Sequence, residues 1–412
     1  MPLFRKAFMG RRCSDLPEDV LEEIFSWLPP ESLVRFKCVS KSWYALINFL
    51  IKNLEFVNKH LRNIDKKIFS STYSVFSCLT DLSHCRNISL LHRDMFKSLT
   101  VFHEHDYNKS HHLNYVSEDF RLPTPVCNLY LYAALSSHCN GIICLASGST
   151  LVLCNPATKE VRVLPRPCLS FDDLWVQQVV FGYDSRANDY KIVRLVRKRF
   201  IRDQMEYYLK SRAEMYSMGI DSWREINGIP VEIDSFADIG KEVFCNGVFY
   251  WPVRARNEFI FSFDLFDEEF NIISLPNNPL VSQRDHVTKL AVWNESLALF
   301  LYPAESEVPK SIEVWVMDDC SDHDSKGSCS WINKFVIEPL VGGFATPLTF
   351  LKNYKLLMQA TDGGLILYDL RSQMLHKLTI VQAVSSIPVW EFSYVKSLVS
   401  VQGGSRSISF MK

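Results

Sequence analysis

Two hydrophobic periods divide the chain. From Asp15 to Leu50 apolar residues recur at helical spacing, and from about Val126 onward they alternate in short runs bounded by turn residues. The first predicted helix opens at Asp15-Leu16-Pro17-Glu18-Asp19. Pro17 suits a first turn, where its missing N–H costs nothing, and Glu18 and Asp19 oppose the positive end of the helix dipole. Val20, Ile24, Trp27 and Leu28 follow at i, i+4, i+7 and i+8 with Leu21 beside them, which predicts one apolar stripe ended by Pro29-Pro30. A short second helix carries Leu33, Phe36 and Val39 at three-residue spacing. Ser40 is a suitable N-cap for a third, on which Trp43, Leu46, Ile47 and Leu50 share a face. Three helices in so short a stretch bury their own apolar faces poorly. Two destinations would satisfy those faces: the rest of the chain, or a partner protein contacted through some of Leu16, Ile24, Leu28, Leu33 and Trp43.

The alternating region repeats one arrangement. Asn140 to Leu145, Leu151 to Thr158 and Val161 to Leu164 read as strand, strand-into-turn and returning strand. The arrangement recurs from Asn246, from Asn294 and from Leu356, and in weaker form from Ala213 to Ile226. Its turn-marking residues Asn155, Met218, Asp264, Asp318 and Asp369 lie 63, 46, 54 and 51 residues apart. A recurring unit of three or four strands at that period predicts an all-β, β-propeller-like domain of kelch type, with five or six blades. Each unit exposes two sheet faces, so consecutive units must stack in a ring. Phe392 to Tyr394 and Leu398 to Val401 read as extra strands able to pair with the first unit and close it. Two packed antiparallel sheets are the alternative with the same strand content. Between the regions Leu54, Val57 and Leu61 continue a helix, Tyr73 to Leu79 alternates, and Pro123 and Pro125 mark the entry to the strands. The expected organisation is an N-terminal tail over 1–14, a helical domain over 15–60, a connecting segment over 61–125, the ring over 126–402 and a C-terminal tail over 403–412.

Composition fits a folded chain: 47% hydrophobic and 22% charged residues, with 28 Phe, 16 Tyr and 9 Trp. Lys and Arg total 45 against 46 Asp and Glu, a net charge of −1, so the whole molecule presents no electrostatic footprint for nucleic acid or an anionic membrane. The longest apolar runs, such as Tyr130 to Leu135, fall far short of the ~20 residues of a bilayer span. Met1 to Arg12 lacks the apolar core of a secretory signal. The 12 cysteines are therefore expected to stay reduced, with Cys38, Cys144, Cys154 and Cys245, inside apolar runs, as small buried hydrophobes.

Motifs that bring catalytic or cofactor chemistry are missing. His103, His105, His111 and His112 could hold a transition metal, but their polar context reads as a solvated loop. Asp318 to Gly327 fails as a calcium loop, because Lys326 takes a ligand position and Asn333 stands where the closing Glu belongs. The glycine pairs at 342–343 and 363–364 make no phosphate cradle. The basic run Arg194, Arg197, Lys198, Arg199 and Arg202 reads as a strand entering a charged hairpin tip, with an acidic partner or RNA as the functional alternative. Trp223, Trp251, Trp293, Trp315 and Trp331 read as packing between repeats. The expectation is a protein that is no enzyme and needs no cofactor.

The stretch from Leu16 to Trp43 resembles an F-box: the Leu16-Pro17 start, Ile24 with Leu28-Pro29, Ser32-Leu33, and Val39-Ser40-Lys41 followed by Trp43 fall at that family's spacing. The resemblance implies docking on the Skp-type adaptor of a cullin-based ubiquitin ligase through Leu16, Pro17, Ile24, Leu28, Pro29, Leu33, Val39, Ser40 and Trp43. Cys139 to Cys144, Cys154 to Glu160, Phe181 to Asp184, Asn188 to Arg194 and Ser222 to Ile226 are similar to the F-box-associated domain of plant proteins. Glu313 to Asp319, Pro347 to Phe350 and Phe56 to Leu61 resemble the S-locus F-box and S-locus F-box-like proteins of the rose family. Together these likenesses imply a substrate-recognition subunit of a Skp-cullin-F-box ligase, working in the cytoplasm or nucleus, with no nucleic-acid or membrane partner. The S-locus likeness further implies a stylar S-ribonuclease as target, in pollen self-incompatibility. Target contacts are expected on polar connections near 199–212, 228–241, 303–311 and 319–329. An F-box scaffold outside ubiquitin transfer and a propeller enzyme are the competing readings.

Overall fold

The computed structural model describes residues 16–67, 73–77, 99–104, 115–120, 134–147, 149–169, 174–202, 205–208, 211–230, 238–254, 258–283, 286–304, 311–318, 330–340, 345–351, 354–360, 365–377, 390–393 and 395–402. Both predicted tails, His105, His111, His112 and the acidic loop at 319–329 lie outside the described residues.

Among the described residues four helices come first: α1 (Glu18–Ser26), α2 (Pro30–Phe36), α3 (Lys41–Leu50) and α4 (Leu54–Lys67). Pro17 caps α1, its carbonyl accepting the N–H groups of Val20 and Leu21 at 3.1 Å. Ser40 caps α3 as expected, its hydroxyl oxygen accepting the Trp43 N–H at 3.2 Å. The inward stripe of α1 differs from the one read off the sequence. Leu21 and Phe25 are buried, while Val20 and Trp27 are 40% and 41% exposed. The helix is apolar over more than one stripe, and α4 settles which one turns in. From α4, buried Phe56, Val57, His60 and Asn63 join the packing. The His60 Nε2 lies 2.8 Å from the Leu28 carbonyl, and the Asn63 amide donates to the Ser26 hydroxyl at 2.8 Å.

Among the described residues the remainder forms six antiparallel sheets. The second holds β4 (Ala134–Cys139), β5 (Ile142–Ser147), β6 (Thr150–Asn155) and β7 (Glu160–Val163). The third holds β8 (Leu174–Asp184), β9 (Asp189–Arg202), β10 (Met205–Tyr208), β11 (Arg212–Ser217) and β12 (Ser222–Ile226). The fourth holds β13 (Asp238–Ile239), β14 (Val243–Cys245), β15 (Val248–Arg254), β16 (Phe259–Asp264) and β17 (Phe270–Ser274). After the short helix α5 (Pro279–Gln283), the fifth comprises β18 (His286–Trp293), β19 (Ser296–Pro303), β20 (Ile312–Met317) and β21 (Trp331–Ile337). The sixth comprises β22 (Ala345–Leu351), β23 (Lys355–Ala360), β24 (Leu365–Asp369) and β25 (Leu375–Lys377). The first sheet is made from both ends of the chain: β1 (Tyr73–Ser77), β2 (Leu99–Glu104) and β3 (Tyr115–Phe120) with β26 (Trp390–Ser393). Ser74 pairs with Ser393 and Ser77 with Trp390, so strands from the stretch expected to be a connection share a sheet with a strand near the C-terminus. His103 belongs to β2, opposite Tyr73, rather than to a loop.

Five sheets of consecutive strands and one closing sheet make a β-propeller, as the repeat predicts. The first strands of neighbouring sheets touch, β4 with β8 and β18 with β22, which places them around the inside of the ring. Apolar cores fill the spaces between sheets. One unites Val180, Val193 and Met215 of the third sheet with Phe249, Trp251 and Phe261 of the fourth. Another unites Phe300, Val314 and Ile337 of the fifth with Leu356, Met358 and Tyr368 of the sixth. Trp251 is fully buried, and Trp223 and Trp331 tie sheets to preceding segments by donating from Nε1 to the carbonyls of Pro165 and Ser274 at 2.9 Å. Cys144, Cys154 and Cys245 are buried as expected, whereas Cys38 is exposed in the turn after α2.

The repeat has a physical origin in its turns. Asn155, Asp264 and Asp369 each accept backbone N–H groups one turn ahead: Ala157 at 3.0 Å, Phe266 at 2.7 Å and Arg371 at 2.9 Å. At Met218 a borrowed carboxylate does the work, since Asp189 of β9 accepts the Gly219 N–H at 2.7 Å. Asn140-Gly141 and Asn246-Gly247, expected to start strands, are instead two-residue hairpin turns with φ of 49° and 80°, and 50° and 85°.

Candidate protein-docking surface

The helical head has an inner and an outer apolar face. Leu21, Phe25, Leu33, Ile47, Leu50 and Phe56 share one core with Ile142, Leu151 and Leu153 of the second sheet and with Leu398, Val399 and Val401. Residues 395–402 are therefore no strand, as Leu398 to Val401 suggested, but an irregular strap lying between head and ring. Lys396 of the strap pairs with Glu31 of α2 at 2.8 Å. The Asn155 amide donates to the carbonyls of Ser397 at 3.1 Å and Val399 at 2.8 Å, and the Ser397 hydroxyl donates to the Asn140 carbonyl at 2.5 Å. Glu160 accepts the Ser400 hydroxyl at 2.8 Å and the Val401 N–H at 2.9 Å. The strap crosses the end of the second sheet formed by its β4–β5 and β6–β7 turns.

The outer face is open. Val39, Tyr44 and Phe49 are 61%, 57% and 65% exposed, and Val20, Trp27 and Val34 are each about two-fifths exposed. So much uncovered apolar surface on a head of this size is the signature of a docking face. Charged groups border it: Glu23 accepts the Trp27 Nε1–H at 2.8 Å and pairs with Lys59 at 2.8 Å. The Lys59 ammonium, helped by the Trp27 N–H, holds the Glu23 carboxyl below the ordinary carboxylate range.

The sequence-predicted contact residues divide among three environments. Pro17, Pro29, Val39 and Ser40 are exposed. Leu16, Ile24, Leu28 and Trp43 are partly buried against the shared core, with the Trp43 ring 5.2 Å from Phe25 and 5.5 Å from Phe36. Leu33 is 1% exposed, so here it holds the head together rather than facing outward. Val20, Trp27, Val34, Tyr44 and Phe49 were missed as surface residues. The available signal was surplus: Trp43 to Leu50 is apolar well beyond one stripe, more than a single buried face needs. Of the expected target loops, 203–204, 209–210, 231–237, 305–310 and 319–329 lie outside the described residues.

A helical head with an uncovered apolar face, fastened to a ring of sheets, defines a two-part interaction protein. Residues 13–55 match the F-box domain and residues 92–401 match the F-box associated beta propeller domain, and the chain belongs to that family. It is similar to a putative F-box protein of Arabidopsis thaliana, at 26% identity over 82% of this chain and 72% of the relative. An F-box/kelch-repeat protein of the same plant is 25% identical over 88% of this chain and 90% of its own length. The Arabidopsis thaliana F-box protein CPR1 is 24% identical over 90% and 86%. These are likenesses to plant F-box proteins in general, broader than the S-locus group.

Proposed function

We propose that the chain is the substrate-recognition subunit of a Skp-cullin-F-box ubiquitin ligase. The head docks on a Skp-type adaptor, the propeller holds the target protein, and bond formation belongs to other subunits. The observation that carries this reading is the two-faced head: its inner face is committed to the ring, while Val20, Val34, Val39, Tyr44 and Phe49 are exposed on the outside. The chain acts by holding target and transfer machinery at high effective concentration. Adaptor contacts then run through the exposed members of the predicted set, Pro17, Pro29, Val39 and Ser40, together with these outer apolar residues.

Co-purification with adaptor and cullin tests the reading. Val39→Asp, at an exposed position, is expected to abolish adaptor capture while leaving circular dichroism and melting temperature unchanged. Capture of adaptor without cullin would favour a scaffold outside ubiquitin transfer, and undiminished capture by Val39→Asp would remove this face from the interface. The narrower target, a stylar S-ribonuclease, is supported by the motifs Glu313 to Asp319 and Pro347 to Phe350. Pull-down from pollen with immobilised stylar ribonucleases tests that step separately.

A further inference from the structure

Charge on the head is sorted by element. Helix α1 carries Glu18, Asp19, Glu22 and Glu23 and no Lys or Arg. From Ser32 to Leu54 the sign reverses: Arg35, Lys37, Lys41 and Lys52 stand there without one Asp or Glu. The whole chain, with 45 Lys and Arg against 46 Asp and Glu, has no such excess. Part of each set is engaged within the molecule. The Lys59 ammonium lies 2.8 Å from Glu23 and 3.9 Å from Glu22. Lys37 is half-buried, in the attractive field of Glu160 of the second sheet. Arg35, Lys41 and Lys52 are exposed.

These exposed cations share their elements with most of the exposed apolar surface of the head. Val34 adjoins Arg35 on α2, and Val39 precedes Lys41 in the turn that leads into α3. On α3, Lys41, Tyr44, Ala45, Asn48 and Phe49 fall on one side by helical spacing, with Lys52 just past its end. Trp43, Leu46, Ile47 and Leu50 fall on the opposite side, in or against the shared core. The outer stripe thus sets Tyr44 and Phe49 between two lysines, on a helix about 15 Å long at ~1.5 Å per residue. The screening length in ordinary buffer is ~10 Å. A partner seated on the middle of the stripe therefore feels both lysines.

We propose that the α2–α3 half of the head takes an adaptor surface whose apolar centre is rimmed by carboxylates, and that Arg35, Lys41 and Lys52 steer its approach. This rests on the adaptor reading and gives the partner a charge. Val39, Tyr44 and Phe49 supply the contact area, and the cations set how fast it is found. Charges at a rim act chiefly on the association rate and its salt dependence, whereas buried anchors act on dissociation. Lysines bracketing aromatics on a helix also suit an anionic bilayer. The exposed Glu18 and Asp19 of α1 would be repelled by a uniformly anionic surface. A protein can place its carboxylates opposite the α2–α3 half alone.

The immobilised full chain would be titrated with purified Skp-type adaptor by biolayer interferometry, at about 50 and about 300 mM NaCl. The association rate is expected to fall by roughly fivefold or more from low to high salt. At low salt, Arg35→Gln with Lys41→Gln should slow association by about threefold, and Arg35→Glu with Lys41→Glu by about tenfold or more. Dissociation and melting should barely change. Lys41 is the first residue of α3, where Glu suits the helix dipole, so its reversal is compatible with the fold. Glu18→Gln with Asp19→Gln should not slow association. Salt-independent association, indifference to both pairs of basic-site variants, equal slowing by the α1 pair, or co-sedimentation with phosphatidylserine vesicles would overturn the proposal. Absence of adaptor binding by the unaltered protein at either salt would bring down the ligase reading itself, and this proposal with it.

Discussion

Two buried polar residues show how much rests on single side chains. Arg194 and Glu214 are 2% and 0% exposed and bond at 2.5 Å. Glu214 also accepts the Leu169 N–H at 2.8 Å, and Arg194 donates to the Leu169 carbonyl at 3.0 Å. The pair thereby clamps the chain entering the third sheet. Arg194→Met would strand a charged Glu214 in the interior, with an expected loss of about 3–5 kcal/mol in urea unfolding. The exposed Arg212–Glu225 pair makes two bonds, at 2.8 and 2.6 Å, but sits in water, so Arg212→Ala should cost under ~1 kcal/mol. His60 poses a protonation question instead. It is fully buried, its Nε2 faces the Leu28 carbonyl and its Nδ1 has no partner among the described residues, so the neutral ring fits and the cation does not. Burial lowers its pKa beneath the ordinary 6.5, against a smaller opposing effect of the Leu28 bond. The unfolded chain therefore takes up this proton at a higher pH than the folded chain does. Stability is full above about 6.5 and declines as pH falls below it. His138, held down to about 3 by burial and then by Lys241, contributes with the same sign. Comparison with His60→Gln isolates the first residue: the variant should lose less stability than the parent on acidification, in matched urea titrations.

Among the elements, the turns and the strap carry the architecture. In the second, fourth and sixth sheets an Asx residue ending the third strand turns the chain, which is why the repeat is visible at all. Asn155 does more than its counterparts, because its amide also donates to the strap. Asn155→Asp keeps the acceptor for Ala157 but sets a carboxylate against the carbonyls of Ser397 and Val399. A loss of about 2 kcal/mol or more is expected on chemical denaturation. Gly141 is under the same strap. Its φ is +80°, and an added Cβ would lie 2.3 Å from the Val395 carbonyl oxygen. Gly141→Ala combines backbone strain with that clash and should loosen the strap, seen as faster hydrogen exchange across 395–402.

For the molecule as one object, the shared core decides how the two functional ends are related. Head, strap and second and third sheets bury Phe25, Leu33, Val399, Ile142 and Phe181 together, so the head is built into the ring. The outer apolar face of the head and the ring are then held in a fixed relation. Calorimetry provides the check. The intact chain is expected to unfold its head together with these sheets, while truncation after Ser393 should separate a head transition at lower temperature. An unchanged single transition after truncation would show that the strap does not couple them.

Local periodicity was enough to read three helices, their caps, the strand-turn repeat and the ring it implies, because each is written within a few residues of itself. The Ser40 cap, the Asn155, Asp264 and Asp369 turns and the apolar strands of β15, β16 and β19 all have this character. Periodicity reports how many residues share a face and says nothing of what the face meets. That is why α1 turned in on Leu21 and Phe25 instead of Val20 and Trp27, and why Leu33 is interior while Phe49 is not. Contacts such as Asn155 to Val399 span 244 residues, and the closing sheet joins Tyr73–Ser77 to Trp390–Ser393. No neighbouring residue signals such partners. Only packing, which must fill every gap left by the other elements, selects them.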